Sequence, residues 1–413
     1  MRLFDTVSMA FQGIAVHRNR SLLTILGIVI GIMSVVAVMS IGQSAEGLIV
    51  GQIERFGPTN IFVLPGREPS GPNDAAGTLL NDSLKIKDFE DLEKKENVPQ
   101  AVRVIPYAFG FVQSSYGSET YDAMIIGSTE YSQKNWDLAV AEGRYYDNED
   151  VESRARVVVL GNKTKDELFG SGNAVGEKIK INNQKFSVIG VLAKEGQGSF
   201  VDFNKAMVAP YTSVQESILG NKYFNRLIIE AESIEAVPAV IKDVKTLLRN
   251  NHNIDDPEKD DFFVQTQEGI ANQVKTVTGI LTVLLASVAA ISLVVGGVGI
   301  MNIMLVSVTE RTKEIGLRKA LGATNGNVRT QFLFEALTLT LLGGVLGIAF
   351  GALLTLGASW AAKRFAELDL PFAFSMNGMA LALAVSFAIG IGFGLFPAIK
   401  ASRKDPVESL YYE

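Results

Sequence analysis

Apolar residues gather into four long runs, at 22–41, 277–306, 332–358 and 379–399, and a polar stretch of roughly two hundred residues separates the first run from the second. A helix needs about 20 apolar residues to cross ~30 Å of hydrocarbon. Each run reaches or exceeds that length with almost no charge inside, so the pattern predicts an α-helical membrane protein with four transmembrane helices. Helical spacing continues past the first run through Ala45, Leu48, Ile49, Ile53 and Phe56 until Gly57-Pro58 breaks it. Ahead of the second run, Ile270, Val274, Val277, Leu281 and Leu284 are spaced 4, 3, 4 and 3 apart, the a/d repeat of helices packed side by side. A helix over 267–308 would be about 60 Å long, twice the hydrocarbon thickness. Two helical stalks carrying an outer domain are expected, packed through Leu48, Ile49, Ile270, Val274 and Val277. A tilted span with a loose linker is the alternative.

Within the polar stretch the period switches between strand and helix. Residues 60–64 read as a strand, 88–95 as a short helix with Phe89 and Leu92 inward, and 101–105 as a strand. At the far end, 226–231 and 262–266 read as strands. Between them Val237, Val240, Ile241, Val244, Leu247 and Leu248 mark the inner stripe of a helix. Both ends are β-α-β units, which pair readily into one α/β layer with residues 114–216 inserted. The insert is richer in strand: 156–160, a helix at 163–169, a hairpin of 178–181 with 185–192 around Asn182-Asn183, and 207–209 ending at Pro210. Glycine and proline mark flexible loops at 68–78 and 195–199.

Leu3, Phe4, Val7, Phe11, Ile14 and Ala15 recur at helical spacing with Arg2, Asp5, Gln12 and Arg18 interspersed, which predicts an amphipathic helix at the membrane interface over 1–20. A frayed extension of the first span is the alternative. The first run exceeds a signal-peptide core and follows a 20-residue leader, so it is expected to stay as an anchor. The chain then divides into helix and stalk at 21–56, the layered domain at 57–113 and 217–266, its insert at 114–216, and stalk and second span at 267–308. A loop at 309–330, a third span at 331–360, an outer loop at 361–376, a fourth span at 377–399 and a tail at 400–413 follow.

Charge sets the orientation. Arg2, Arg18 and Arg20 precede span one; Arg311, Lys313, Arg318, Lys319 and Arg329 lie between spans two and three; Lys400, Arg403 and Lys404 follow span four. The positive-inside rule makes all three cytoplasmic, with both termini inside and the large domain outside a cell membrane. Residues 44–273 hold 24 basic and 35 acidic side chains, a net of −11, against +5 elsewhere. An acidic exterior argues against nucleic acid as a partner.

Catalytic apparatus is nearly absent. There is no cysteine, which excludes disulfides, thiol catalysis and cysteine-bound zinc. The two histidines, His17 and His252, give no cluster; His252 reads as part of a charged outer loop. No G-x-x-x-x-G-K-[ST] is present to cradle phosphate. Acid clusters at Asp147, Glu149, Asp150 and Glu152 and at Asp255, Asp256, Glu258, Asp260 and Asp261 match no twelve-residue calcium loop and read as solvated. No metal or catalytic residue is assigned.

Glycines four apart, Gly27/Gly31, Gly343/Gly347/Gly351 and Gly390/Gly394, indicate close helix packing, within one chain or between two. Glu335, just inside span three, is an intramembrane carboxylate; a structural pairing with Arg329 or Arg311 is favoured over a functional role. In the loop before it, Glu310, Arg311, Lys313, Glu314, Arg318 and Lys319 surround Ile315, Leu317 and Leu321, with Gly322 as a helix stop and Thr324 as the next N-cap. This short charged helix either satisfies the positive-inside rule alone or is a docking surface whose displacement moves spans two and three.

The run E-R-T-K-E-I-G-L-R-K-A-L-G-A-T at 310–324, followed by Gln331–Ala336 and Gly343-Gly344, resembles the signature of the FtsX-like permease superfamily. Gly143-Arg144, the stretches 175–181 and 186–192, and Pro210 resemble the MacB-type periplasmic core. The resemblance implies a type VII ABC permease. It would be a homodimer with a separate cytoplasmic ATPase that holds ATP and Mg, this chain binding no cofactor, and would use a membrane-fusion-type adaptor. It further implies a porter-like layer with a sabre-like insert, ATPase coupling through 310–319, and export of antibiotics, peptides or lipidated compounds by mechanotransmission. MacB carries its ATPase on the same chain and this sequence does not. Lipoprotein release, regulation of a cell-wall hydrolase, and a receptor without any ATPase are the alternatives.

Overall fold

The computed structural model describes residues 18–54, 57–68, 82–194, 201–365, 373 and 375–410. The leader through 17, loop residues 69–78, the loop at 195–199 and residues 366–372 and 374 of the outer loop at 361–376 lie outside them. The chain divides into a unit of Met1–Leu48 with Lys275–Glu413 and a unit of Ile49–Val274. In chain order the elements are α1 (Arg18–Glu54), β1 (Asn60–Pro65), α2 (Ile86–Glu93), β2 (Ala101–Tyr116), β3 (Glu119–Ser128), α3 (Ser132–Asn135), β4 (Val140–Gly143), α4 (Asn148–Glu152), β5 (Val157–Leu160), α5 (Asn162–Phe169), β6 (Lys178–Ile181), β7 (Gln184–Leu192), β8 (Ala206–Pro210), α6 (Tyr211–Val214), β9 (Arg226–Ala231), α7 (Val237–His252), β10 (Phe262–Thr266), α8 (Gln267–Glu310), α9 (Thr312–Ala320), α10 (Asn325–Phe365), α11 (Met376–Ser402) and α12 (Pro406–Leu410).

Helices α1, α8, α10 and α11 are long and apolar enough to cross a membrane. Glycines let their backbones approach. A Cβ built at Gly343, Gly347 or Gly351 of α10 would come within 2.9, 2.8 or 3.0 Å of Ile28, Ile32 or Val36 of α1, respectively. Gly27 of α1 meets Gly296 of α8, and Gly390 and Gly394 of α11 meet Thr340 and Ala336 of α10. Those four-residue spacings are therefore filled within one chain. Facing away are Ile280, Val283, Ile291 and Val295 on α8 and Val345, Phe350, Leu353 and Trp360 on α10, an apolar surface suited to hydrocarbon. Leu48, Ile49 and Val274 are half-buried, and Ile270 packs on a core of its own unit. Val277, Leu281 and Leu284 are more than half exposed. Beyond Val274 the 4-3 repeat is thus an outward apolar face of α8, not a seam packed within this chain.

In the other unit, β10, β1, β9 and β2 form a sheet in that order with every neighbour antiparallel. The two β-α-β units are interleaved, so the strands of each are separated by a strand of the other, the split arrangement of a ferredoxin-like layer. Phe89, Leu92, Val240, Val244 and Leu248 of α2 and α7 cover one face, packed on Ile61, Val63, Val104, Leu227 and Ile229.

Strand β2 leaves this sheet after Tyr107, opposite Arg226, and from Ala108 pairs with β3. Pairing then runs through β8, β5, β7 and β6 back to β2, closing a small barrel with β4 beside β7. Alternate residues, among them Val112, Ile125, Val158, Ile179, Phe186 and Met207, fill its interior. A further core joins the free face of the first sheet (Phe62, Tyr107, Ile228) to the outside of the barrel (Ile126, Val159, Val208). The sequence pattern stops β2 at 105 and misses β3 and β4. Pro106 and Gly110 interrupt β2, burial on both faces erases the period of two over 104–108 and 125–128, and β4 is four residues long and largely exposed.

Candidate coupling site

The nine-residue α9 is held between helices of 44 and 41 residues. Only Arg311 separates it from α8, and only residues 321–324 from α10. Thr312 Oγ1 donates back to the carbonyls of Val308 and Thr309 at 3.0 and 2.8 Å, tying the turn together. Gly322, at φ +99°, ends α9 in a conformation that favours glycine. Thr324 Oγ1 accepts from the Asn327 N–H at 3.3 Å and starts α10. Both caps are those the sequence predicts.

One face of α9, Thr312, Ile315 and Gly316, is buried. Three of the expected docking charges turn inward to partners of their own. Arg311 Nη1 lies 3.4 Å from both carboxylate oxygens of Glu335, so of the two arginines considered it is Arg311 that pairs with this buried acid. Arg318 Nη1 donates to Gln331 Oε1 at 2.9 Å. Lys319 Nζ donates to the carbonyls of Ser402 and Lys404 at 2.8 and 2.7 Å. Lys313 and Glu314 remain outward, with Glu310 exposed at the end of α8. Leu317 is 55% and Leu321 80% exposed. Sequence reasoning grouped Ile315, Leu317 and Leu321 amid the charges and counted Ile315 for coupling, whereas Ile315 is buried and the two leucines are exposed. It missed Ser402, Lys404 and Ser409 as partners of α9 because nothing local links residues some 85 positions apart.

In the outer unit, His252 is not in a loop. It is the last residue of α7, nearly buried, with Nδ1 2.6 Å from Asp261 Oδ1 and Nε2 3.1 Å from Asp88 Oδ2. A carboxylate oxygen accepts from an N–H, so both bonds form together when both ring nitrogens carry a proton, an arrangement that favours the imidazolium. The Asp88 bond raises the His252 pKa against burial, and Asp261 adds to it. Burial pushes the Asp88 carboxyl up, but bonds from His252, the Lys85 N–H and Asn251 bring it below its ordinary value. One member of each acid cluster is likewise paired with an arginine. Asp260 takes two bonds from Arg249 at 2.8 and 2.7 Å, and Asp150 pairs with Arg144 at 2.6 Å while capping α4 with Asp147.

Four membrane helices, an extracytoplasmic α+β unit and a short helix set between two spans define a membrane permease subunit. Residues 21–247 match the MacB-like periplasmic core domain and residues 286–406 the FtsX-like permease C-terminal family. The chain belongs to the MacB/FtsX-like family of ABC transporter permeases. It is 35% identical, over the full length of both chains, to the uncharacterized ABC transporter permease YknZ of Bacillus subtilis. It is also 35% identical, over 98% of its length, to the macrolide export ATP-binding/permease protein MacB of Neisseria gonorrhoeae, and spans 60% of that protein. The crystal structure of the periplasmic region of MacB from Actinobacillus actinomycetemcomitans aligns with a TM-score of 0.46 at 23% identity, over 54% of this chain and 95% of that one.

Proposed function

We propose that the chain is the membrane subunit of an ATP-driven export complex, in which a separate ATPase docks on α9 and its closure is relayed by mechanotransmission along α8 and α1 to the outer unit. The supporting observation is the setting of α9. Its inner face and three of its cations are engaged inside the bundle, Lys313, Glu314, Leu317 and Leu321 face out, and its connections are too short to absorb a displacement. The ATPase is taken to be a separate subunit, in keeping with residues 1–413 holding no G-x-x-x-x-G-K-[ST] loop to cradle phosphate. ATP and Mg belong to that subunit, and this chain performs no hydrolysis.

The basic flanks put both termini and α9 in the cytoplasm and the acidic unit outside. Two copies of the chain, each with its ATPase, and a membrane-fusion-type adaptor complete the assembly. Cargo, of the antibiotic, peptide or lipidated class, is driven by the outer units and need not pass between helices whose backbones are in contact. Affinity purification of the full chain from its own membranes tests this reading. An ATPase should co-purify with the wild type, and Leu317→Asp with Leu321→Asp should reduce its recovery about tenfold, as loss of a central apolar anchor does. Undiminished recovery would put the docking surface elsewhere, and no ATPase in either sample would remove the reading.

A further inference from the structure

Helix α11 leaves its last carbonyls without helical partners, as every helix does. Here two of the carbonyls at and just beyond its end, Ser402 O and Lys404 O, are taken by a single ammonium, Lys319 Nζ, that comes from α9. The chain then turns back along the same helix. Asp405 Oδ1 accepts from the N–H groups of Val407 and Glu408 at 2.8 and 3.3 Å and sets α12. Gly316 of α9 touches it so closely that a Cβ there would lie 2.7 Å from Ser409 Cβ and 3.2 Å from Pro406 O. Ser409 is almost fully buried, while Val407 on the same helix stays exposed.

We propose that residues 402–410 are a positioning strap. They join α9 to the fourth membrane helix, so that a load on α9 enters the bundle through α11 as well as through α8 and α10. The inference rests on the reading of α9 as the ATPase dock and adds a route that chain connectivity does not supply. Two sets of bonds of different kind hold the strap, a charge-assisted pair at Lys319 and a close-packed contact at Gly316, so α9 and α12 move as one body. Lys319 is here a positioning residue, and its ammonium is not available to a partner.

Hydrogen–deuterium exchange on the full chain in lipid nanodiscs tests the strap without any ATPase. Lys319→Met should speed exchange about tenfold in the last turn of α11 and across α12, the scale of losing a charge-assisted bond, and Lys319→Arg should restore protection. Truncation after Lys404 should speed exchange in α9 itself. Unchanged protection in all of these variants would overturn the strap.

The second arm uses spin labels at Ala320→Cys, exposed at the end of α9 and outside the dock, and Val407→Cys, in a chain that has no other cysteine, on the complex with whatever ATPase co-purifies. The distance between the labels should stay the same with and without ATP, and become state-dependent in Lys319→Met. A shift of about 5 Å, one helical turn, between nucleotide states of the otherwise wild-type chain would overturn the strap even if docking stands. Absence of any co-purifying ATPase counts against the functional reading alone, because the exchange arm still decides the strap.

Discussion

Alanine should act in opposite directions at two glycines of the same helix. A Cβ at Gly347 of α10 would sit 2.8 Å from Ile32 Cβ, 2.9 Å from Ile32 Cγ2 and 3.0 Å from the Val29 carbonyl oxygen of α1. Carbon atoms prefer about 3.5–4.0 Å, so the two helices must part by about 0.7 Å along a ridge that Gly343 and Gly351 also line. Overpacking of this kind costs about 1–3 kcal/mol. Against it stands about 1 kcal/mol gained when alanine replaces glycine inside a helix, which leaves Gly347→Ala destabilising by up to about 2 kcal/mol. At Gly357 nothing lies within 4 Å of the built Cβ. Only the backbone gain remains there, and Gly357→Ala should stabilise by about 0.5–1 kcal/mol. Titrating dodecyl sulfate into mixed micelles and following Trp360, which sits in α10, measures both. A Gly347→Ala that stabilises as much as Gly357→Ala would show that α1 does not seat on this ridge and that the glycines serve another contact.

Removing one side of the Arg311–Glu335 pair should be worse than removing both. Arg311 is 26% exposed and Glu335 11%, so each of Arg311→Met and Glu335→Leu should cost about 2–3 kcal/mol, with the double variant costing less than either single. Additive costs in the same titration would mean that the pair is idle. The imidazolium of His252 contributes stability that is complete below its ordinary pKa of 6.5 and is lost as pH rises through its raised folded value. Asp88 contributes stability that is present above 3.8 and is lost as pH falls through its lowered folded value. Amide exchange in α2, α7 and β10 of the full chain should therefore speed up on the alkaline side of 6.5. His252→Asn should flatten that rise, and a profile unaltered by the substitution would contradict the clamp.

The membrane helices were legible because length and composition alone set them, and the end of α9 and the start of α10 because glycine and threonine act within a few residues. Interleaving of the two β-α-β units was not legible, since strand order depends on pairings such as Phe62 with Ile228 that no local pattern encodes. The barrel was hidden for a different reason. β2 serves two sheets and is buried on both faces over 104–108, so alternation fails where the switch occurs at Tyr107 and Ala108, and the partner stretch 125–128 of β3 is buried on both faces too. At the candidate site, spacing found the charged helix but not its inward and outward sides. Which cations face the partner depends on where α11 ends, about 80 residues downstream. His252 was unreadable in the same way, because Asp88 lies 164 residues earlier.

Site-directed photo-crosslinking tests coupling most directly. Single cysteines at Leu317, at Leu321 and, as an exposed apolar control in the outer unit, at Ile234 carry a short photoreactive group on the full chain in its own membranes. The expected result is a crosslink to an ATP-binding subunit from positions 317 and 321 and none from 234. Crosslinks to that subunit from 234, with 317 and 321 silent, would contradict docking on α9 and the orientation together.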